Sequence, residues 1–166
     1  TAAPAVEGIV ATPAPAQGTA LWFRPVAAVA AGEAWASVWP EGHPSGLIGH
    51  LKDGAWTYWR LADDSALLHG LAVAPDGTVW AATVSGAFSF DGRAWTRRYE
   101  EPVEGIAAGA GGEIWIGGWA TCSPWVAQWQ GGSWAVEQPV VDCNCSGSGW
   151  GFPLAVSTDG DVWVRQ

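Results

Sequence analysis

A chain of 166 residues is long enough to bury one core, and 23 Gly, 11 Pro and 14 Trp with only 14% charged residues point to short strands joined by turns. Seven Lys plus Arg against 16 Asp plus Glu give a net charge of −9, which argues against nucleic acid as a partner because a phosphate backbone needs a cationic surface. No apolar run approaches the roughly 18 residues of a membrane-spanning helix.

From the N-terminus, Gly8-Ile9-Val10-Ala11 and Ala20-Leu21-Trp22-Phe23 read as two strands. A repeat then sets in, in which a small turn precedes a tryptophan: Ala31-Gly32-Glu33-Ala34-Trp35, Asp76-Gly77-Thr78-Val79-Trp80, Gly111-Gly112-Glu113-Ile114-Trp115 and Asp159-Gly160-Asp161-Val162-Trp163. The spacing of roughly 40 residues is that of one propeller blade. A second series interleaves with it, at Trp56 after Asp53-Gly54-Ala55, Trp95 after Asp91-Gly92-Arg93-Ala94, and Trp134 after Gln130-Gly131-Gly132-Ser133. Each unit therefore predicts four short antiparallel strands with tight Gly-centred turns between the first and second and between the third and fourth.

These units occupy about residues 26–60, 70–99 and 105–138, and residues 154–166 supply only half of a fourth. The expected architecture is all-β: a four-bladed β-propeller in which the N-terminal strands, residues 8–24, complete the C-terminal blade, with Trp22 at the place of Trp56. The alternative is a fragment of a larger propeller. Either way the eight tryptophans at repeat positions are expected to fill the gaps between blades, since an indole carries a large apolar area.

The segment Gly70-Leu-Ala-Val-Ala-Pro-Asp-Gly-Thr-Val-Trp-Ala-Ala-Thr, followed by Gly86-Ala-Phe-Ser-Phe-Asp-Gly, resembles the two-component regulator propeller repeat and is similar to blades of the virginiamycin B lyase group. The resemblance covers nearly the whole chain as repeats. It implies a propeller, and for sensor propellers of the first kind an extracytoplasmic ligand-sensing or protein-binding module.

Propeller topology gives the molecule two faces. The tight glycine turns fall on one and leave little side-chain chemistry there. The other receives the insertions 38–45, 118–125 and 140–152, and long loops on a rigid scaffold are where binding is usually carried. The binding-face candidates are Trp39, His43, Trp119, Trp125 and Trp150, read either as an aromatic recognition surface or as residues that cap the loops. Cys122, Cys143 and Cys145 gather on the same face. A disulfide from Cys122 to Cys143 or Cys145 would close a loop of about 20 residues and stabilise an exported protein by roughly 3 kcal/mol, leaving one thiol over.

Those cysteines with a histidine could make a four-ligand zinc set, but Cys143-x-Cys145 lacks the second pair of a zinc ribbon, so no metal is expected. Catalysis finds little in the residues. No Ser-His-Asp order and no phosphate loop are present. Glu41, Asp63, Asp64, Glu100, Glu101, Glu104 and Asp142 cluster on the looped side, where they read as solvated residues or weak calcium contacts; calcium is the sole cofactor candidate. A chain that begins at Thr1 and has no Met reads as a processed or trimmed product, with a removed export signal or membrane anchor as the hypothesis, and the expected location is extracellular, periplasmic or on the cell surface.

The function these readings favour is a non-catalytic binding or assembly module whose looped face contacts a protein partner or another copy. A carbohydrate-binding lectin is the second class. A polysaccharide lyase or glycosidase is the third, and would require two carboxylates converging in a central pocket.

Overall fold

Every sheet in the molecule is organised by the turn that precedes its second strand. Gly32, Gly77, Gly112 and Gly160 have φ of 81°, 86°, 93° and 89°, a region closed to residues with a Cβ except at a cost. Three of these turns share one hydrogen-bond pattern, in which the glycine N–H donates to a carbonyl three residues back: Ala74 at 2.9 Å, Gly109 at 3.1 Å and Ser157 at 3.1 Å. Asp53 and Gly54, with φ of 51° and 78°, make the type I′ turn favoured by Asp-Gly between paired strands.

The computed structural model describes residues 9–17, 20–41, 47–61, 68–120, 123–137 and 154–164. Sheet 1 contains β1 (Ile9–Thr12), β2 (Leu21–Ala30), β3 (Glu33–Pro40), β4 (Leu47–Lys52) and β5 (Ala55–Leu61) in the order β1-β5-β4-β3-β2. Sheet 2 contains β6 (Leu68–Val73), β7 (Val79–Thr83), β8 (Gly86–Phe90) and β9 (Trp95–Tyr99) in sequence order. Sheet 3 contains β10 (Gly105–Ala108), β11 (Ile114–Ala120), β12 (Ser123–Trp129) and β13 (Trp134–Glu137), and sheet 4 only β14 (Leu154–Val156) and β15 (Val162–Val164). All pairs are antiparallel, and no helix occurs among the described residues. The first strands pack in succession, β2 on β6, β6 on β10 and β10 on β14, so the expected all-β, four-bladed propeller arrangement is present.

The N-terminal strand does not complete the fourth sheet as expected. Ile9–Thr12 pairs with β5 on the outside of sheet 1, in register Ile9 to Leu61, instead of completing sheet 4. Leu21–Ala30 is one ten-residue strand that pairs with β3 along its length, so Trp22 lies opposite Trp39 and is not the counterpart of Trp56. The physical reason is burial: Ile9, 9% exposed, joins the cluster of Trp35, Ile48, Phe90 and Trp95 between sheets 1 and 2. Pro25 sits at a register shift between Arg24 and Val26 on an edge strand, where a missing N–H is tolerated.

One packing rule joins the sheets. The second-strand tryptophan always lies opposite an alanine of the first strand: Trp35 opposite Ala27, Trp80 opposite Ala72, Trp115 opposite Ala107 and Trp163 opposite Ala155. The fourth-strand tryptophan always lies opposite a large apolar residue of the third: Trp56 opposite Leu51, Trp95 opposite Phe90 and Trp134 opposite Trp129. Trp35 meets Phe90 at 5.5 Å and 62° and Trp95 at 6.2 Å and 88°. Trp80 meets Trp129 at 5.6 Å and 61° and Trp134 at 5.9 Å and 83°, nearly the same geometry one blade on. Both are edge-to-face packings, which the aromatic quadrupole favours.

Burial follows this rule only in the middle of the row. Trp35, Trp80 and Trp95 are buried, as expected of gap-filling residues, whereas Trp56 is 36% and Trp163 is 66% exposed.

Candidate functional site

The four first strands end around one concavity. Val29 of β2, Val73 of β6, Ala108 of β10 and Val156 of β14 line a cavity of about 460 Å³, with Pro75, Gly77 and Thr158 at its turn-side edge. It lies on the face of the tight turns, opposite the looped face on which the sequence places the binding residues. Among the described residues its wall is aliphatic side chains, backbone and the two hydroxyls of Ser157 and Thr158. Such a surface can hold an apolar or backbone-like group. The sequence signal for it is the small-residue segment before each turn, Val73-Ala74-Pro75, Ala108-Gly109-Ala110 and Val156-Ser157-Thr158.

On the looped face, two of the expected tryptophans stand at a shared position. Trp39 lies four residues after Trp35 and Trp119 four after Trp115, with Val84 at the same place after Trp80. Both indoles are half-buried and stand on strands, β3 and β11, not on loops. Trp39 Nε1–H donates to Ser37 Oγ at 3.2 Å.

Segment 118–125 is not an insertion. Gly118, Trp119 and Ala120 pair with Trp125, Pro124 and Ser123 as the end of the β11–β12 hairpin. Trp125 is consequently a core residue, 7% exposed and 5.4 Å from the Tyr99 ring, which corrects its reading as a binding residue: sheet pairing turns it into the gap between sheets 2 and 3. Val38, Trp39 and Pro40 likewise belong to β3. His43, Trp150, Cys122, Cys143 and Cys145 lie outside the described residues, as do Asp63, Asp64 and Asp142.

The remaining carboxylates of the looped face stand largely at the surface. Glu41, Glu100 and Glu101 are exposed, and Glu104 is half-buried. Among the described residues no three His, Cys, Asp or Glu side chains are placed to hold a metal ion. The Asp91 carboxylate, at one of the Asp-Gly turns, accepts the N–H groups of Arg93 and Ala94, both at 2.9 Å, and the Ala94 bond first and the Arg93 bond next hold its pKa below the usual value.

One ion pair is embedded in the packing. His50 Nε2–H donates to Glu33 Oε1 at 2.8 Å while its ring lies flat on Trp35 at 4.0 Å, and Lys52 Nζ is 3.4 Å from Glu33 Oε2. The His50 hydrogen bond, the largest influence, holds the Glu33 carboxyl below its usual value; desolvation opposes it, and Lys52 adds a smaller lowering. A depressed carboxylate pKa contributes stability above the unfolded-state value, and that contribution is lost as pH falls through the folded-state value. Glu33→Gln is therefore expected to melt below the parent at neutral pH, with the gap closing once the medium is acid enough to protonate Glu33 in both states; paired melting curves across that range check it.

No family model matches the chain, and no curated protein does. Among solved structures, one described as YCF48 bound to D1 peptide is similar, with a TM-score of 0.48 at 16% identity, over 87% of this chain and 61% of that one. The chain thus spans about three-fifths of that protein's length.

Proposed function

We propose that the chain is a non-catalytic, extracytoplasmic binding or assembly module that makes protein–protein contact through its looped face, with Trp39 and Trp119 as anchors. The observation that carries the reading is their shared register: two half-buried indoles stand at the same rim position on the second strands of sheets 1 and 3. A tryptophan held on a strand loses little further freedom on binding, and tryptophan is enriched among the few residues that dominate interface energies.

The test is the double substitution Trp39→Ala and Trp119→Ala in the tagged chain. Partner capture from the extracytoplasmic fraction of the source cells is expected to weaken by about 30-fold or more, the effect of losing one interface hot spot. Retention of capture, or quenching of tryptophan fluorescence by a sugar from a glycan panel without any protein capture, would transfer the function to the lectin class.

A further inference from the structure

Arg98 is an exposed residue whose side chain is nevertheless fixed in place. It is the extra residue of a bulge in β9: Arg97 lies opposite Phe88 and Tyr99 opposite Ala87, so Arg98 has no counterpart across the strand pair. Bulges re-aim a side chain, and here the guanidinium reaches from sheet 2 onto sheet 3. Its Nε–H donates to the Oγ of buried Ser89 at 2.8 Å, and its central carbon lies 5.7 Å from the ring centre of Trp129 in β12. The Arg98 carbonyl accepts the Trp134 Nε1–H at 2.7 Å, which pins the backbone as well. Arg97, its neighbour in sequence, spends its Nη2 on the carbonyls of Ser85 and Glu100. The two Nη groups of Arg98 have no partner among the described residues, and no carboxylate there pairs with it. In a chain with 16 Asp plus Glu against 7 Lys plus Arg, an ordered cation without an acidic partner is not accounted for by internal pairing.

We infer that Arg98 is a carboxylate-binding residue, and that its ligand is a single aspartate or glutamate side chain of the partner protein. A guanidinium recognises a carboxylate through two parallel N–H···O bonds. With Nε engaged by Ser89, the end-on pair of Nη1 and Nη2 is the fork that remains. Ser89, Trp129 and Trp134 hold that fork before the ligand arrives, which lowers the ordering cost of binding. The net charge of −9 selects the source: the chain as a whole repels a polyanion, whereas one carboxylate brings one charge to one fork. The inference rests on the protein-contact reading above and supplies the chemistry of the partner, but it uses neither Trp39 nor Trp119.

The experiment is an NMR titration of the isotope-labelled full chain, read at the Arg98 Nε–H and at the Trp134 Nε1–H that bonds the Arg98 carbonyl. The probes are a short peptide, capped at both ends and carrying one glutamate, its glutamine twin, and glucuronate. The glutamate peptide is expected to shift both signals to saturation, with the glutamine twin bound about tenfold more weakly or less, the effect of losing a charge-assisted hydrogen bond. R98K keeps the charge but not the fork and should also bind the glutamate peptide about tenfold more weakly, read at Trp134. Arg98 is exposed, so R98K folds as the parent does, which its backbone amide spectrum verifies; S89A, which releases Nε and leaves the charge, is the second variant and should weaken binding by about threefold. The chain with Trp39→Ala and Trp119→Ala keeps the fork and should bind the peptide as the parent does whether or not it loses its partner, so the two readings fail separately. Equal shifts by the two peptides, R98K binding as tightly as the parent, or tighter binding of glucuronate than of the glutamate peptide would each overturn the inference.

Discussion

Trp35→Ala lowers the unfolding free energy by about 3–5 kcal/mol, the range for removing a buried tryptophan from a packed core. Trp35 is 4% exposed and its ring touches those of His50, Trp59, Phe90 and Trp95, so the indole is the common wall of four side chains from two sheets. Its loss opens a cavity that the strands cannot close, because Ala27 and His50 flank it at fixed register. In a chain of this length the midpoint of thermal unfolding should fall by roughly 10 °C. Trp163→Ala, at the equivalent register but exposed, should move the monomer's stability by no more than about 0.5 kcal/mol. Equal losses at the two positions would show that the exposed and buried tryptophans are not distinguished as described.

The second large effect is at Gly86, the first residue of β8. Its φ of 132° lies in a region that L residues rarely adopt, and a Cβ there would be driven into the carbonyl oxygen of Tyr99. Neither atom can yield cheaply, because Thr83, fully buried, holds the Gly86 carbonyl through its hydroxyl at 2.9 Å. Gly86→Ala should therefore cost about 3 kcal/mol or more, strain and steric overlap combined. Gly77→Ala is the control: its φ is 86°, but a Cβ there meets open space, so only the left-handed penalty of roughly 1–2 kcal/mol applies. Urea unfolding of the two variants beside the parent measures the difference.

The legible parts of the fold were those fixed by local chemistry. A glycine turn followed by tryptophan at a constant offset specifies a hairpin wherever it occurs, and β3, β7, β11 and β15 lie where the spacing puts them. Strand partners were less legible because pairing between distant segments leaves no local trace. Ile9–Thr12 suits a place beside β15 as well as one beside β5 by pattern, and only its burial among the aromatic side chains decides between them.

Two prolines stand within strands whose place in the sheet tolerates them. Pro25 sits at a bulge on an edge strand. Pro124 lies in a part of β12 that pairs with β11 alone, since β13 joins only from Val126 onward. The axial cavity escaped notice because small residues carry no chemical signature, and the candidate residues on the looped face were chosen for theirs.

The most direct test of the protein-contact reading is hydrogen–deuterium exchange on the chain alone and with the protein it captures. The account predicts slowed exchange in residues 36–40 and 117–120 around Trp39 and Trp119, with the cavity segments at 73–77, 108–110 and 156–158 unchanged. Protection confined to the cavity segments would contradict it and move the binding site to the opposite face.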